Sequence, residues 1–466
     1  MSQSWLKLLF LDDAVGPAAT GGPAATRGPA ATGGPAATGG PAATGGPAAT
    51  RRLPQPLRIW LAAVLVLTAA NVVTELICHF ALGLRYPYDW PFVAPVSRFG
   101  DLLDWLPQFR TIHTEAFFHQ RLQFLYPAPV SIVYTLFLLA GRGALTIYLA
   151  LAASLAGTAL LLLGKCLRAN GVRTASASGF LIAVLLTSYP FWFVVHTANL
   201  ELVVSGFTMT GVWAFSRGRQ GMAASLFGVA AAMKIYPVLY LLLFLKRGTW
   251  GRVVQGVVLA AAIIAVSLWV VYPKVGVSWS EMRLGTAAFI QQDGLHFLHG
   301  RIGFDHSLFA LIKTVLPPMT TERTARVLSA YFVVVAITAS WLWFQRVSKQ
   351  PVLAQVLFLS TATILLPPVS YDYTLVHLYA PWAMLVVALA GGRTLSWAGW
   401  SALGCFAIIF TAQGYILSQG DHFAAQLKCV AMLGLMVAAA TASLFKERQP
   451  VRVGQEIIGQ EIKGAP

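Results

Sequence analysis

Runs of roughly eighteen consecutive apolar residues recur along this chain, and they constrain its fold more than any other feature. They lie at Ile59–Cys78, Ala144–Gly164, Gly256–Tyr272, Ala325–Phe344 and Val430–Phe445. A helix of that length and composition matches the hydrocarbon thickness of a bilayer. Composition agrees: 57% of the 466 residues are hydrophobic and 11% are charged. A water-soluble domain needs about 25% charged residues to cover its surface. The expectation is an all-α polytopic membrane protein of about 10–13 transmembrane helices.

The formal net charge is +16. On a soluble chain such a balance suggests nucleic acid. Here the basic residues fall in short clusters between apolar runs: Arg51-Arg52, Arg217 and Arg219, Lys246-Arg247 with Arg252, and Lys446 with Arg448. That pattern marks cytoplasmic loops beside anionic lipid headgroups, so membrane lipids are the expected partners and nucleic acid is excluded. Cys78, Cys166, Cys405 and Cys429 are scattered in or beside apolar runs without metal-ligand spacing and read as small buried hydrophobes.

Residues 16–51 are six hexapeptides of the form GPAATG, with Arg ending the second and sixth copies. Pro and Gly in every copy exclude a sustained helix, so residues 1–56 read as a disordered tail. The extreme N-terminus lacks a basic region before Leu8-Leu9-Phe10, which argues against a cleaved signal peptide. Arg51, Arg52 and Arg58 precede the first span and place the N-terminus in the cytoplasm. Residues 79–125 then form the longest polar interruption, facing outside, with Trp and Pro suited to short surface helices. A second polar stretch runs from Lys274 to His306. In the simplest helix count, Lys165, Arg168 and Arg173 fall outside, against the charge rule. Residues 221–245 are read as two short half-helices meeting at Lys234–Pro237, which keeps both basic ends inside.

Few residues are equipped for chemistry. Asp101 and Asp104 are three apart and share a face if helical. A carboxylate just outside the membrane suits a general base, and two solvated loop acids are the alternative. Lys234 sits between apolar half-helices with no Asp or Glu from 228 to 240. A lysine at that depth marks a site for an anion or snorkels to an interface. Its partner must come from elsewhere in the fold or be a ligand. Asp372, with His377 five residues on, and Glu201 each open a span and suit a helix N-terminus; for Glu201 the cap is the preferred reading. His306 precedes another apolar stretch, with an N-cap role as competitor. His296 and His299 are three apart, too little to name a metal site.

The run from Asn199 to Ala232-Met-Lys-Ile-Tyr-Pro-Val-Leu resembles the Lys-aromatic-Pro signature of glycosyltransferase family 87, of the GT-C superfamily. Phe99-Gly-Asp101 resembles its first outer acidic motif. Phe124-Leu-Tyr126-Pro resembles its Tyr-x-Pro entry to the next segment, and Pro368-Val-Ser-Tyr-Asp372-Tyr373 its late Ser-aromatic motif. Two stretches depart from the pattern: Asp305-His306-Ser-Leu stands where the family often has Asn-Gln-Ser-Leu, and Asp372-Tyr373 where it often has a His.

The resemblance implies a GT-C-like transmembrane catalytic domain over residues 57–447, with a helical first outer loop and a short polar tail at 448–466. It implies inverting transfer of a hexose, mannose first, from a polyprenyl-phosphate sugar to a lipid-linked or glycan acceptor at the outer face of the cell membrane. Asp101 would be the base with Asp104 supporting. Lys234, His306 and Arg110 would bind the donor phosphate, and Tyr126, Tyr236, Asp372 and Tyr373 are further candidates. No nucleotide or other cofactor is implied, and a divalent metal stays open. Three rivals stand beside it: a transporter or flippase, a membrane acyltransferase, and a scaffold. A transporter would show paired interrupted helices in its two halves. The sequence shows one such interruption, at Lys234–Pro237.

Overall fold

A computed structural model describes residues 51–83, 99–112, 128–245, 248–271, 305–317, 319–411, 423–441 and 443–446. Residues 1–50, residues 84–98 and 113–127 with Glu115 and Tyr126, His296, His299, Lys246-Arg247 and the tail from 448 lie outside these residues.

The chain begins with α1 (Gln55–Leu76), entered through Pro54 and Pro56, where a missing N–H costs a helix nothing. After this first span, α2 (Gly100–Leu103) is followed by a 3₁₀ turn at Leu106–Thr111. Then come α3 (Ala128–Leu139), α4 (Ala144–Ala169), α5 (Thr174–Thr187), α6 (Tyr189–Thr197), α7 (Glu201–Ser216) and α8 (Gln220–Met233). A 3₁₀ helix at Tyr236–Phe244 leads to α9 (Trp250–Val271). The later part holds α10 (Leu308–Val315), α11 (Thr321–Gln345) and α12 (Val352–Leu365). A second 3₁₀ helix, Asp372–Leu378, runs into α13 (Tyr379–Ala390), and α14 (Trp397–Phe410) and α15 (Phe423–Thr441) complete the bundle.

Among the described residues, α1, α4, α9, α11 and the run Asp372–Ala390 are long and apolar enough to cross a membrane. The pair α5 and α6, bent by 49° where Ser188 turns extended ahead of Pro190, makes a sixth candidate. Val66, Leu139, Trp269 and Val334 are all exposed, an arrangement that suits lipid and not water. The protein is an all-α polytopic membrane protein.

Three packing features position the site. Phe227 of α8 stacks on Tyr240 at 5.3 Å and meets Phe244 at 6.3 Å between ring centroids. In one continuous helix, residues 17 apart would lie about 25 Å apart, so α8 and its 3₁₀ partner form a hairpin. The turn is Lys234, whose backbone is extended at φ −144°, ψ 133°. Close contact with α9 braces the hairpin. A Cβ on Gly228 would lie 2.6 Å from the Gly256 carbonyl oxygen, so only glycine fits there.

The second feature concerns direction. Arg51 N–H donates to the Gly171 carbonyl at 2.7 Å, and Arg173 N–H donates to Arg51 at 3.0 Å. The start of α1 and the end of α4 are therefore neighbours. At about 18 Å, α3 is too short to cross a hydrocarbon core of about 30 Å. The expected placement of Lys165, Arg168 and Arg173 opposite the other basic clusters is corrected, because it counted α3 as a crossing. Arg217 lies within electrostatic reach of Cys166 on α4, and Gln255 on α9 donates to the Gly221 carbonyl at 3.1 Å. Arg51, the Lys165–Arg173 cluster, Arg217 with Arg219, and Arg252 thus gather at one end of the bundle.

The third feature is aromatic. At the other end, Phe109 stacks on Tyr134 at 4.7 Å, and Leu102 and Ile112 are buried with them. This secondary core clamps α2 onto α3. The main core is centred on α13, where Trp382 meets Trp60, Phe180 and Phe410.

Candidate active site

The site lies at the end of the bundle away from the basic clusters, where two backbone positions are strained. Phe99 (φ 59°) and Ala198 (φ 53°) are the non-glycine residues in the left-handed region among those described. Such conformations persist only where the surroundings enforce them, and they cluster at functional positions. Phe99 precedes Gly100-Asp101, and Ala198 precedes Asn199. A bond of 2.7 Å from Phe99 N–H to the His196 carbonyl ties the two turns together.

From this junction the acids are set in place. Asn199 Nδ2 donates to Asp101 Oδ2 at 2.7 Å, while Asn199 Oδ1 accepts from Glu201 N–H at 2.8 Å. Tyr134 donates its hydroxyl to the Asp101 carbonyl at 2.8 Å, and Tyr148 donates to the carbonyls of Val194 and Asn199. Burial pushes the Asp101 carboxyl above its ordinary value, with the Asn199 hydrogen bond and the Lys234 charge pulling the other way. A carboxyl raised above its ordinary value is the stronger base once it is ionised. Asp104 is exposed and lies outside this network, three residues further on.

Glu201 opens α7, as a capping acid would, but its carboxylate does not cap: it is fully buried and accepts from three side chains. Lys234 Nζ donates at 2.5 Å, His377 Nε2 lies at 2.6 Å, and Tyr236 donates its hydroxyl to the other side of the group. The preferred reading of Glu201 as a cap is therefore corrected. Of the two partners left open for Lys234, the structure supplies one from elsewhere in the fold, Glu201, 33 positions earlier in the chain. Lys234 also lies 4.8 Å from the centre of the Tyr373 ring. Its side chain remains 11% exposed, against none for Glu201.

A second carboxylate is built the same way. Asp372 accepts from Lys428 Nζ at 2.7 Å and from the Tyr189 hydroxyl, and faces His306 Nδ1 at 3.0 Å. It does not cap its helix. Nor does His306 cap α10, a role taken by Ser307, which accepts from Ala310 N–H at 3.0 Å. His306 Nε2 lies 3.3 Å from both Ser370 and Thr374 hydroxyls. His306 N–H donates to the Ser370 carbonyl, and Asp305 Oδ1 accepts from Ser307 and Ser370 N–H groups, closing the cluster. The structure thus places His306 with Asp372 and not beside Lys234. The two stretches that depart from the family pattern are in contact with each other.

Of the other expected residues, Arg110 lies in its 3₁₀ turn one residue before the end, with an exposed side chain. Tyr236 and Tyr373 join the Lys234 group, and Tyr126 lies outside the described residues. Sequence reasoning missed Lys428, which sits inside α15 just ahead of the apolar run, and gave His377 no role. No three His, Cys, Asp or Glu groups among the described residues are placed to hold a metal ion.

The expectation of a single interrupted helix is also corrected, because α5 and α6 form a bent pair that breaks at Ser188. A 3₁₀ segment also opens the run Asp372–Ala390. Interrupted helices therefore no longer separate an enzyme from a transporter, and comparison with known proteins does. No curated protein and no solved structure matches the chain. The model of glycosyltransferase family 87 matches residues 124–370, just over half of its length. That span includes the α8 hairpin, Glu201, Lys234 and the Asp305–Ser370 contact. The chain belongs to glycosyltransferase family 87.

Proposed function

We propose that the protein transfers a hexose, mannose first, from a polyprenyl-phosphate donor to a hydroxyl of a lipid-linked or glycan acceptor, with inversion, at the outer face of the cell membrane. The observation that carries this reading is the Asp101 carboxylate, held by Asn199 beside the Lys234–Glu201 pair. Asp101 takes the acceptor proton as the hydroxyl oxygen attacks C1, and the bond from C1 to the phosphate oxygen breaks. Lys234 offers positive charge to the departing phosphate, which competes with Glu201 for its N–H groups.

Two features support the donor and the side. Beside Glu201 and His377 lies an apolar pocket lined by Leu155, Leu202, Met209, Val376 and Trp382, suited to an isoprenoid chain. The basic clusters collect at the opposite end, which the charge rule makes cytoplasmic together with the N-terminus.

The test is incubation of membranes carrying the protein with radiolabelled polyprenyl-phosphate mannose or nucleotide mannose, followed by product extraction. Label should pass to product from the lipid donor. Transfer from the nucleotide sugar alone would overturn the donor assignment.

A further inference from the structure

The Asp372 cluster is expensive to build. Lys428 and Asp372 are almost wholly buried, with side chains 4% and 2% exposed, and His306 is wholly so. Ionisable groups at membrane depth persist where they serve a purpose. Direct contact with substrate is not that purpose, because each group is enclosed by the others and by Tyr189, whose ring centre lies 4.0 Å from Lys428 Nζ.

What the cluster does hold is one end of a short element. Asp372 is the first residue of the seven-residue 3₁₀ helix whose sixth residue, His377, binds Glu201, and whose second, Tyr373, lies against Lys234. A 3₁₀ helix has poorer internal hydrogen bonding than an α-helix, so its placement depends on outside contacts. At about 2 Å per residue, Asp372 and His377 lie about 10 Å apart along one stiff rod. The Ser370 and Thr374 hydroxyls, 3.0 Å apart and both beside His306, fix the same end.

We propose that Asp372, Lys428, His306 and Tyr189 form a positioning set: by fixing the start of the 3₁₀ helix they place Tyr373 and His377, and through them Lys234, at the candidate active site. The inference rests on the transferase reading for its consequence, but the coupling can be measured without it. Removing one charge alone would strand the other and risk misfolding. The informative variant is therefore the neutral double, Asp372→Asn with Lys428→Met, compared with Lys428→Arg.

The experiment is hydrogen exchange of purified, nanodisc-reconstituted full-length protein, read at 199–201 and 234–236. The double variant should exchange faster than wild type at both stretches by tenfold or more, with α14 unchanged, and Lys428→Arg should stay near wild type. Transfer from polyprenyl-phosphate mannose should fall by about 10²-fold, the usual consequence of small misplacement. Exchange at 234–236 that matched wild type would overturn the proposal, whatever happened to transfer. If wild type showed the coupling but no transfer, the donor assignment would fail and the positioning role would stand.

Discussion

The Glu201 and Asp372 clusters are made of the same parts. Each is a buried carboxylate that meets one lysine, one histidine and one tyrosine, and each draws its lysine from a distant element. They differ in access. Lys234 keeps an exposed edge, with half-buried Tyr236, Tyr373 and Asp101 around it, whereas Lys428 and His306 are enclosed. Residue type therefore does not distinguish the two clusters. The exposed edge does, together with the Asp101 carboxylate held by Asn199.

The largest expected effect tests the enclosed cluster. Lys428→Met leaves Asp372 as a buried charge without its cation and should lower stability by about 3–5 kcal/mol. Thermal unfolding in detergent checks this, and a change near zero would remove the contrast in access between the two clusters. Next comes the base. Asp101→Asn should insert normally and lose about 10²-fold or more in turnover, with Asp104→Asn costing less. A reversed ranking in the transfer assay moves the base to Asp104.

Lys234 should behave unlike Lys428. Lys234→Met leaves Glu201 with Tyr236 and His377 as donors and one edge near solvent, so folded protein should remain, with weakened donor binding. Lys234→Arg should keep part of the activity, since charge is retained while geometry changes. Full donor affinity in Lys234→Met would shift the phosphate site elsewhere.

A smaller effect concerns pH. Burial raises the Asp101 pKa, so this carboxyl loses its proton at higher pH than a free carboxylic acid does. Activity should fall as pH drops through that raised value. Asn199→Ala removes a bond that favours the charged form and should move the acid limb of the rate profile upward. A downward shift would break the assignment. The smallest effect is the repeat tail: deletion of residues 16–50 should leave insertion and transfer unchanged, because that composition buries no apolar area.

The crossing helices were legible because apolar length is a local property. The α8 hairpin was too, since Lys234-Ile-Tyr-Pro237 combines a charge and a helix breaker inside an apolar run. The acids were not. Glu201 looked like a cap because its partners stand 33, 35 and 176 residues away, and nothing in a linear order brings them to it. Lys428 was overlooked because the apolar run begins just after it, although α15 carries it within the bundle. Helices of 12–14 residues, such as α3 and α8, fall below the length that marks a crossing and need contacts to be oriented.

The non-crossing pieces α3 and the α8 hairpin have a consequence for parity. A hydropathy count that treats each as one passage makes two errors of opposite effect. Everything after the hairpin then returns to its proper side, while the stretch between them, from α4 to α8, is inverted. Reporter fusions at either terminus would agree with the wrong map, whereas a reporter inside the inverted stretch, near Asn170 or Gly218, would expose it.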